Sequence, residues 1–243
     1  MTKAVVLAAG KGTRMGALTA DVPKPMLAVC GKPLLEHVLE RLRAAGIEAV
    51  FVVTGFRAEK VERYFAGYPM RLVFGRQEAI NGTAKAALLA RDFVADDSFL
   101  LTYGDILVSA AEYVGIAAQL EAGRDTASVL AVKRVDDPWQ GAAVYEEAGR
   151  VSRIVEKPVR GTSSTNWNSA GLYAFRADIF DGLAVVTPSP RGEHELASGI
   201  ERQLAEGLRV EMYEIKGPWS DVGRPEDLVA AETLINASPN GSR

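Results

Sequence analysis

The sequence predicts an α/β fold: a doubly wound, mostly parallel sheet with helices on both faces. Three observations point there. Apolar runs of strand length alternate with amphipathic stretches of helix length through the first half of the chain. Residues 4–9 are apolar almost without interruption, as expected of a parallel strand covered on both faces. The 243 residues are 48% hydrophobic and 24% charged, an ordinary globular composition that can bury a substantial core.

The elements follow in order. After the strand at 4–9, residues 33–45 read as a helix. Leu34, Leu35, Val38, Leu39 and Leu42 form its apolar stripe, Pro33 suits its first turn and Gly46 ends it. Residues 49–54 give a strand, 58–65 a helix, 71–74 a short strand and 83–93 a helix. A strand at 98–103 runs straight into Gly104-Asp105, and a helix at 110–122 and a strand at 128–132 complete the alternation. Beyond about Lys133 the texture changes. Short strands at 142–145, 151–155 and 172–175 are separated by turns rich in Gly, Pro and Ser, and helices return at 194–205 and 225–235. The expected organisation is one domain over 1–236, made of halves 1–133 and 134–236 that share one sheet, with a disordered tail at 237–243.

Charge and cysteine content exclude several classes. A net charge of −3 offers no overall positive field for nucleic acid, so a phosphate-rich ligand must meet locally placed cations. Cys30 stands alone, which excludes an internal disulfide and a cysteine-based zinc cluster. The first ten residues carry one Lys and a short apolar run with no cleavage-like region after it, so they read as a buried strand and not a signal peptide. No stretch approaches the roughly 18 apolar residues of a membrane span. A cytoplasmic setting without membrane partners is expected, and homo-oligomerisation is left open.

The strand at 4–9 leads into Gly10-Lys11-Gly12-Thr13-Arg14, and Pro23-Lys24-Pro25 follows. Glycines let backbone N–H groups approach anionic oxygens. Arg14 offers a planar fork for phosphate, and Lys24 a compact charge. Neither common glycine signature is present: Met15 stands where a dinucleotide motif needs its third glycine, and the Walker spacing is absent. Read alone, Gly10 and Gly12 serve a tight strand-to-loop turn equally well. Asp105 follows a strand at the edge where open α/β sheets bind ligands. Trp219-Ser220-Asp221-Val222-Gly223 places a second carboxylate in a turn before a helix. Two Asp side chains suit Mg²⁺, which keeps water and substrate oxygens in its shell. Read alone, Asp105 also fits a turn and Asp221 a helix cap.

Taken together, the segments from Leu7 to Arg14 and from Pro23 to Pro25 resemble the opening signature of the sugar-1-phosphate nucleotidylyltransferases. That signature is Leu-Ala-Ala/Gly-Gly-x-Gly-Thr-Arg, with Pro-Lys-Pro downstream. Met15-Gly16-Ala17 departs from the Leu-x-Pro of many members. The segments Leu101 to Asp105 and Trp219 to Gly223 resemble the family's two metal motifs. Gln77 to Ala84 resembles its Gln-x(4)-Gly-Thr-Ala segment, Glu156-Lys157-Pro158 its Glu-Lys-Pro, and Asn168 to Tyr173 its sugar-pocket strand. Gly141 falls where the family has a sugar-contacting glycine, with Gln140 in place of the usual Tyr. Arg191 to Leu196 resembles a segment that continues Thr-Asp in the family and Ala197-Ser198 here.

The resemblance, from about residue 3 to 230, implies a GT-A-like, Rossmann-like fold. It also implies roles. Leu7, Ala8, Ala9, Gly10, Gly12 and Thr13 would contact the nucleotide, with Gln77, Gly82 and Thr83 at the base. Gly141, Glu156, Lys157 and Asn168 would hold the sugar phosphate. Arg14 and Lys24 would act on the phosphates, and Asp105 and Asp221 would hold Mg²⁺. Residues 1–133 become the nucleotide-binding half and 134–236 the sugar-binding, metal-completing half. The implied partners are a nucleoside triphosphate and a sugar 1-phosphate. The reaction is in-line attack of a sugar phosphate oxygen on the α-phosphorus, releasing pyrophosphate. A phosphomonoester, with its second pKa near 6, is already largely a dianion at neutral pH, so no general base is required. His37 and His194 accordingly read as structural or exposed.

An amide at Gln77 suits a pyrimidine imide edge, which favours UTP or dTTP over the alternative, guanylyl transfer to mannose or heptose 1-phosphate. The family spans glucose-1-phosphate thymidylyl- and uridylyltransferases and mannose-1-phosphate guanylyltransferases. A non-catalytic nucleotide-sugar-sensing subunit is the rival of another class, opposed by the retention of Arg14, Lys24, Asp105, Lys157 and Asp221. A dehydrogenase lacks its third glycine, and a phosphocholine-using relative is disfavoured by Glu156 and the sugar-pocket strand.

Overall fold

Strand β1 (Lys3–Leu7) sets the layers, because its side chains alternate between two cores. Ala4 and Val6 enter one, while Val5 and Leu7 enter the other. The computed structural model describes residues 1–237. Its further strands are β2 (Ala28–Val29), β3 (Lys32–Pro33), β4 (Ala49–Thr54), β5 (Arg71–Arg76), β6 (Phe99–Tyr103) and β7 (Ile106–Val108). Then come β8 (Thr126–Arg134), β9 (Ala142–Glu147), β10 (Arg150–Glu156), β11 (Trp167–Phe175), β12 (Arg209–Glu214) and β13 (Trp219–Asp221). The helices are α1 (Leu34–Ala44), α2 (Ala58–Tyr64), α3 (Thr83–Leu88), α4 (Arg91–Val94), α5 (Ala110–Ala122), α6 (Ile179–Ala184), α7 (Leu196–Ala205) and α8 (Asp227–Ala237).

Nine strands form one sheet in the order β5-β4-β1-β6-β11-β8-β12-β10-β9. Helices α1, α2, α5 and α8 cover the face carrying Val6, and α3, α4, α6 and α7 cover the face carrying Val5. The fold is therefore mixed α/β with both faces covered. The sheet is less parallel than expected. β5, β4, β1 and β6 are parallel neighbours, as are β8 and β12, but β11 runs antiparallel to both β6 and β8. β10 is antiparallel to β12 and β9. The antiparallel pairings of this sheet all involve strands of the half where short strands replace the βα alternation, and β9 and β10 are joined there by a short turn, a connection open only to neighbours that reverse direction. β9 also pairs with β11, at Asn168 and Ala143, so this end curls back on itself.

Other differences have local causes. The helix expected at 83–93 is interrupted: α3 ends at Leu88 and α4 begins at Arg91. Strand β1 stops at Leu7 and not at residue 9, although Ala8 N still donates to Val53 O at 2.8 Å. Asp221, expected in a turn, ends a short strand. Strand β12 went unread because its inward Val210 and Met212 alternate with charged residues. Of the expected tail, Ala237 closes α8, and 238–243 lie outside the described residues. No helix among the described residues is long and apolar enough to cross a membrane.

The aromatic centre of the second core gives a stability test. Phe99 is fully buried, stacked on Phe180 with ring centroids 5.2 Å apart and 5.8 Å from the ring of Phe175. Phe99→Ala leaves a cavity between β6, β11 and α6, and is expected to lower unfolding free energy by about 3–5 kcal/mol in urea titration.

Candidate active site

A cleft of about 790 Å³ opens at the carboxyl ends of the parallel strands. The chain leaves β1 for β4 on one side and later returns to place β6 on the other, so the crevice lies at a topological switch point. Every residue given a binding or catalytic role from the sequence lines it: Leu7, Ala8, Ala9, Gly10, Gly12, Thr13, Arg14, Lys24, Gln77, Gly82, Thr83, Asp105, Gly141, Glu156, Lys157, Asn168 and Asp221. Hydrogen bonds from Ala8 N to Val53 O (2.8 Å) and from Gly104 N to Leu7 O (3.0 Å) extend the ladder past β1 on both sides. Gly12 then turns left-handed at φ 64°, and a Cβ there would lie 2.8 Å from the Cβ of Lys24. No side chain fits, which lets the loop fold down over Lys24.

Lys24 is buried and its ammonium donates to Asp105 Oδ2 in an ion pair. The sequence reading assigned Lys24 to phosphate alone and gave no sign of this pairing. Antiparallel β7–β13 pairing sets Asp221 opposite Ile106, and Val222 N donates to Asp105 O at 3.1 Å. That register brings Asp221 beside Asp105. The Asp221 carboxyl looks into the open cleft, yet the surrounding walls crowd it. This loss of hydration, and next the negative charge of Asp105, push its pKa up to about 6, against the pull of Lys24 and Arg14. Arg14 is exposed at the rim and forms no ion pair with any described residue. No group of three or more His, Cys, Asp or Glu able to hold a metal occurs among the described residues. Two carboxylates that repel one another while facing one open space fit a divalent ion that takes its remaining ligands from water and phosphate, the habit of Mg²⁺.

At the other end, Glu156 closes β10 and Lys157 bends left-handed at φ 42°, held by a bond from Lys157 N to Gly141 O at 2.7 Å. Positive φ in a lysine is strain of the kind found at binding sites. Burial, and next the charge of Glu195, raise the Glu156 pKa to about 7, against Lys157 and Arg191. Asn168 Oδ1 is buried with no hydrogen-bond partner, and a side chain at Gly141 would collide with it. An orphaned acceptor in a cleft wall is a place for a ligand hydroxyl.

The remaining loop is less direct than expected. Gln77 is buried, and its Nε2 donates to Gly82 O (3.0 Å) and Asn81 Oδ1 (3.3 Å), which leaves its carbonyl oxygen for a ligand. The Thr83 hydroxyl accepts from Leu196 N (2.8 Å), so it staples two loops together. Gly82, at φ 120°, touches the backbone of His194 with no room for a Cβ. His37 is buried against Val29 O (2.8 Å) and His194 bonds Asn81 O (3.0 Å), both structural contacts. Nothing in the structure explains Ala197-Ser198. Tyr103, Tyr173, Glu193 and Asp227 also line the cleft; the first three stand inside motifs already quoted but were given no role of their own, and Asp227 was not singled out. Asp227 Oδ2 accepts from Gly223 N (2.9 Å) and Arg224 N (2.7 Å), fixing the turn after Asp221. An Asp a few residues past a glycine turn was its available signal.

The carboxylate pair makes a stability prediction. Because the folded pKa of Asp221 lies above its ordinary 3.8, its charge destabilises the fold above about pH 6, and this cost fades as pH falls toward 4. Asp221→Asn keeps the shape and removes the charge. In metal-free protein at pH 7.5 the melting temperature is expected to rise by about 2–4 °C, a gain of order 1 kcal/mol after discounting for solvent access. Differential scanning calorimetry at pH 4.5 should show that gain largely gone.

Comparison with known proteins agrees with this geometry. The Nucleotidyl transferase family model matches residues 3–238. The chain is 34% identical over 238 residues to UTP–glucose-1-phosphate uridylyltransferase AglF of Haloferax volcanii, covering 96% of each. It is 32% identical to the low-salt glycan biosynthesis nucleotidyltransferase Agl11 of the same organism, covering 96% of this chain and 66% of Agl11. It is 34% identical to bifunctional protein GlmU of Methanocaldococcus jannaschii, covering 96% of this chain and 54% of GlmU. The chain thus spans about half to two thirds of the length of several relatives it matches. Among solved structures, UDP-glucose pyrophosphorylase complexed with UDP-glucose superposes with a TM-score of 0.85 at 23% identity, covering 96% and 97% of the two chains. A putative glucose-1-phosphate thymidylyltransferase from Bacillus anthracis gives 0.86 at 23% identity, covering 100% and 98%. With its glycine loop, facing aspartates and matched length, the chain belongs to the nucleotidyl transferase family.

Proposed function

We propose that this protein transfers a nucleotidyl group from UTP or dTTP to a sugar 1-phosphate, giving a nucleoside diphosphate sugar and pyrophosphate. The observation that carries this reading is one cleft with Arg14, Lys24, Asp105 and Asp221 at one end and Glu156, Lys157 and Asn168 at the other. The doubly wound, Rossmann-like GT-A core is supported by the parallel run β5-β4-β1-β6. A working unit over 1–236 is supported by β11, from the second half, lying between β6 and β8.

In the proposed reaction a sugar phosphate oxygen forms a bond to the α-phosphorus as the bond from that phosphorus to the β-bridging oxygen breaks. The bonding electrons leave with pyrophosphate. Two unit charges about 4 Å apart repel by roughly 4 kcal/mol at an effective dielectric near 20, so placing one phosphate on another is mainly a charge problem. The loop of Gly10 and Gly12 presents N–H groups to the triphosphate, and Arg14 and Lys24 add charge there. Lys157 holds the sugar phosphate. Glu156 and the free Asn168 Oδ1 accept from sugar hydroxyls, and Gly141 leaves them room. Mg²⁺ held by Asp105 and Asp221 would neutralise charge on the α-phosphate. Positioning and preorganised charge supply the rate. The preference for UTP or dTTP rests on the free Gln77 carbonyl, which would meet an imide N–H, and on the likeness to AglF, a UTP–glucose-1-phosphate uridylyltransferase.

Five nucleoside triphosphates tested against glucose, mannose and N-acetylglucosamine 1-phosphates, scored by Mg²⁺-dependent pyrophosphate release, decide the matter. The expected result is turnover with UTP or dTTP and a hexose 1-phosphate. Asp105→Ala should lower it by about 10³-fold in folded protein, and Lys157→Ala should mainly raise KM for the sugar phosphate. No product from any pair, or full activity in Asp105→Ala, would contradict the proposal.

A further inference from the structure

The ladder that sets Asp221 beside Asp105 is short: β7 and β13 are strands of three residues each. A slip of one residue would shift Asp221 by about 3.3 Å and turn its side chain to the opposite face. Beside the aspartates the ladder is tied by the bond from Val222 N to Asp105 O. Its far end, where Trp219 faces Val108, is tied by a buried side chain of α5.

That side chain is Glu112, in the first turn of α5 and three residues past Ser109. Ser-x-x-Glu at a helix start is the pattern of a capping box, whose two side chains satisfy the first N–H groups of their own helix. Here Ser109 makes no side-chain cap, and Glu112 is buried against the segment that joins β12 to β13. Its Oε1 accepts from Gly217 N at 2.7 Å and its Oε2 from the Tyr213 hydroxyl at 2.9 Å. A buried carboxyl group needs such partners, and both lie more than 100 residues along the chain. Lys133 holds the same segment from β8, its ammonium donating to Gly217 O (3.1 Å) and Ile215 O (3.2 Å). Since α5 follows β7 and Gly217 stands just before β13, Glu112 bridges the exit of one strand to the entry of the other.

We propose that Glu112 is a positioning residue for the metal site: by holding Gly217 it fixes the register of β13, and so keeps the Asp221 carboxylate facing the same space as Asp105. The inference rests on the nucleotidylyltransferase reading and adds to it a residue that touches neither substrate nor ion. Glu112 acts through the β7–β13 ladder. Without it, the entry to β13 keeps Lys133 and the bond from Trp219 Nε1 to Ala170 O, but nothing joins it to the chain that leaves β7.

The test compares wild type with Glu112→Ala, Glu112→Gln and Gly217→Ala in the full chain. Gly217→Ala reaches the same bond without opening a cavity, because its Cβ would lie 2.9 Å from Glu112 Oε1, and it decides the matter if Glu112→Ala does not fold. Two readouts need no turnover. In metal-free protein, hydrogen exchange at Val222 N should speed up about tenfold in Glu112→Ala, while the amides of β4 keep their wild-type protection. In paramagnetic resonance titrations with a non-hydrolysable UTP analogue present, the Kd for Mn²⁺ should rise about tenfold. Gly217→Ala should move both in the same direction. Glu112→Gln still offers an oxygen to Gly217 N and should restore both to within about twofold. In turnover, the Mg²⁺ needed for half-maximal rate should rise in step, with KM for the sugar 1-phosphate at saturating Mg²⁺ changed by less than about twofold. Wild-type Mn²⁺ affinity in Glu112→Ala and Gly217→Ala, or a loss in Glu112→Gln equal to that in Glu112→Ala, would overturn the proposal. So would exchange that speeds up equally at Val222 and in β4, or a sugar phosphate KM that rises as far as the Mg²⁺ requirement. Should wild type release no pyrophosphate yet lose Mn²⁺ affinity in these variants, nucleotidylyl transfer fails and the positioning role stands. A wild type that binds no Mn²⁺ overturns both.

Discussion

Two aspartates far apart in sequence are held side by side by the three-residue ladder of β7 and β13. Each would be better hydrated alone: burial first, and then the charge of Asp105, raise the pKa of Asp221. Folding bears this cost because the rest of the chain is organised to present both to the same space. β6 delivers Asp105 at its carboxyl end, Lys24 is buried against it, and the turn after Asp221 is locked by Asp227. A site that brings anions together needs just such a surplus of charge, waiting for a counterion and for phosphate.

The cations are arranged to match. Lys24 is satisfied inside the protein by Asp105, whereas Arg14 stands open at the rim and Lys157 marks the opposite end on a strained bend. In the proposed reaction these three surround the place where two phosphates meet. Glu156 and Asn168 lie beyond them, where a neutral, hydroxyl-rich group would sit. The polarity of the cleft therefore changes along its length from charge compensation to hydrogen bonding, and this gradient separates the phosphate chemistry from sugar recognition.

Much of this was legible in the sequence, and the parts that were not share a cause. The first strands and α1 carry clear periodicity, and strand 49–54 and helix 110–122 fall where the pattern placed them. The glycine loop and both aspartates stand in compact motifs, so their approach to one cleft was readable from local residues plus the resemblance. The antiparallel placement of β11, the Lys24–Asp105 pair and the docking of His194 on Gly82 are contacts between distant segments, and no local pattern encodes them. Thr83 shows the limit most clearly: its motif suggested the base, and nothing local signalled that its hydroxyl also accepts from Leu196 N. Arg191 stood in a segment that was noticed and given no task; its pairs with Glu193 and Glu195 are local, whereas its approach to Glu156 at 4.0 Å joins distant segments.

The central claim is that Asp105 and Asp221 share one divalent ion between them and the substrate phosphates. Crystals grown with Mn²⁺, a non-hydrolysable triphosphate and a sugar 1-phosphate would test it through anomalous scattering. The account predicts a manganese peak roughly 2.0–2.3 Å from an oxygen of each aspartate, with phosphate oxygens completing its shell and Lys24 turned toward them. A peak bound to only one aspartate, or none while both substrates are in place, would contradict it.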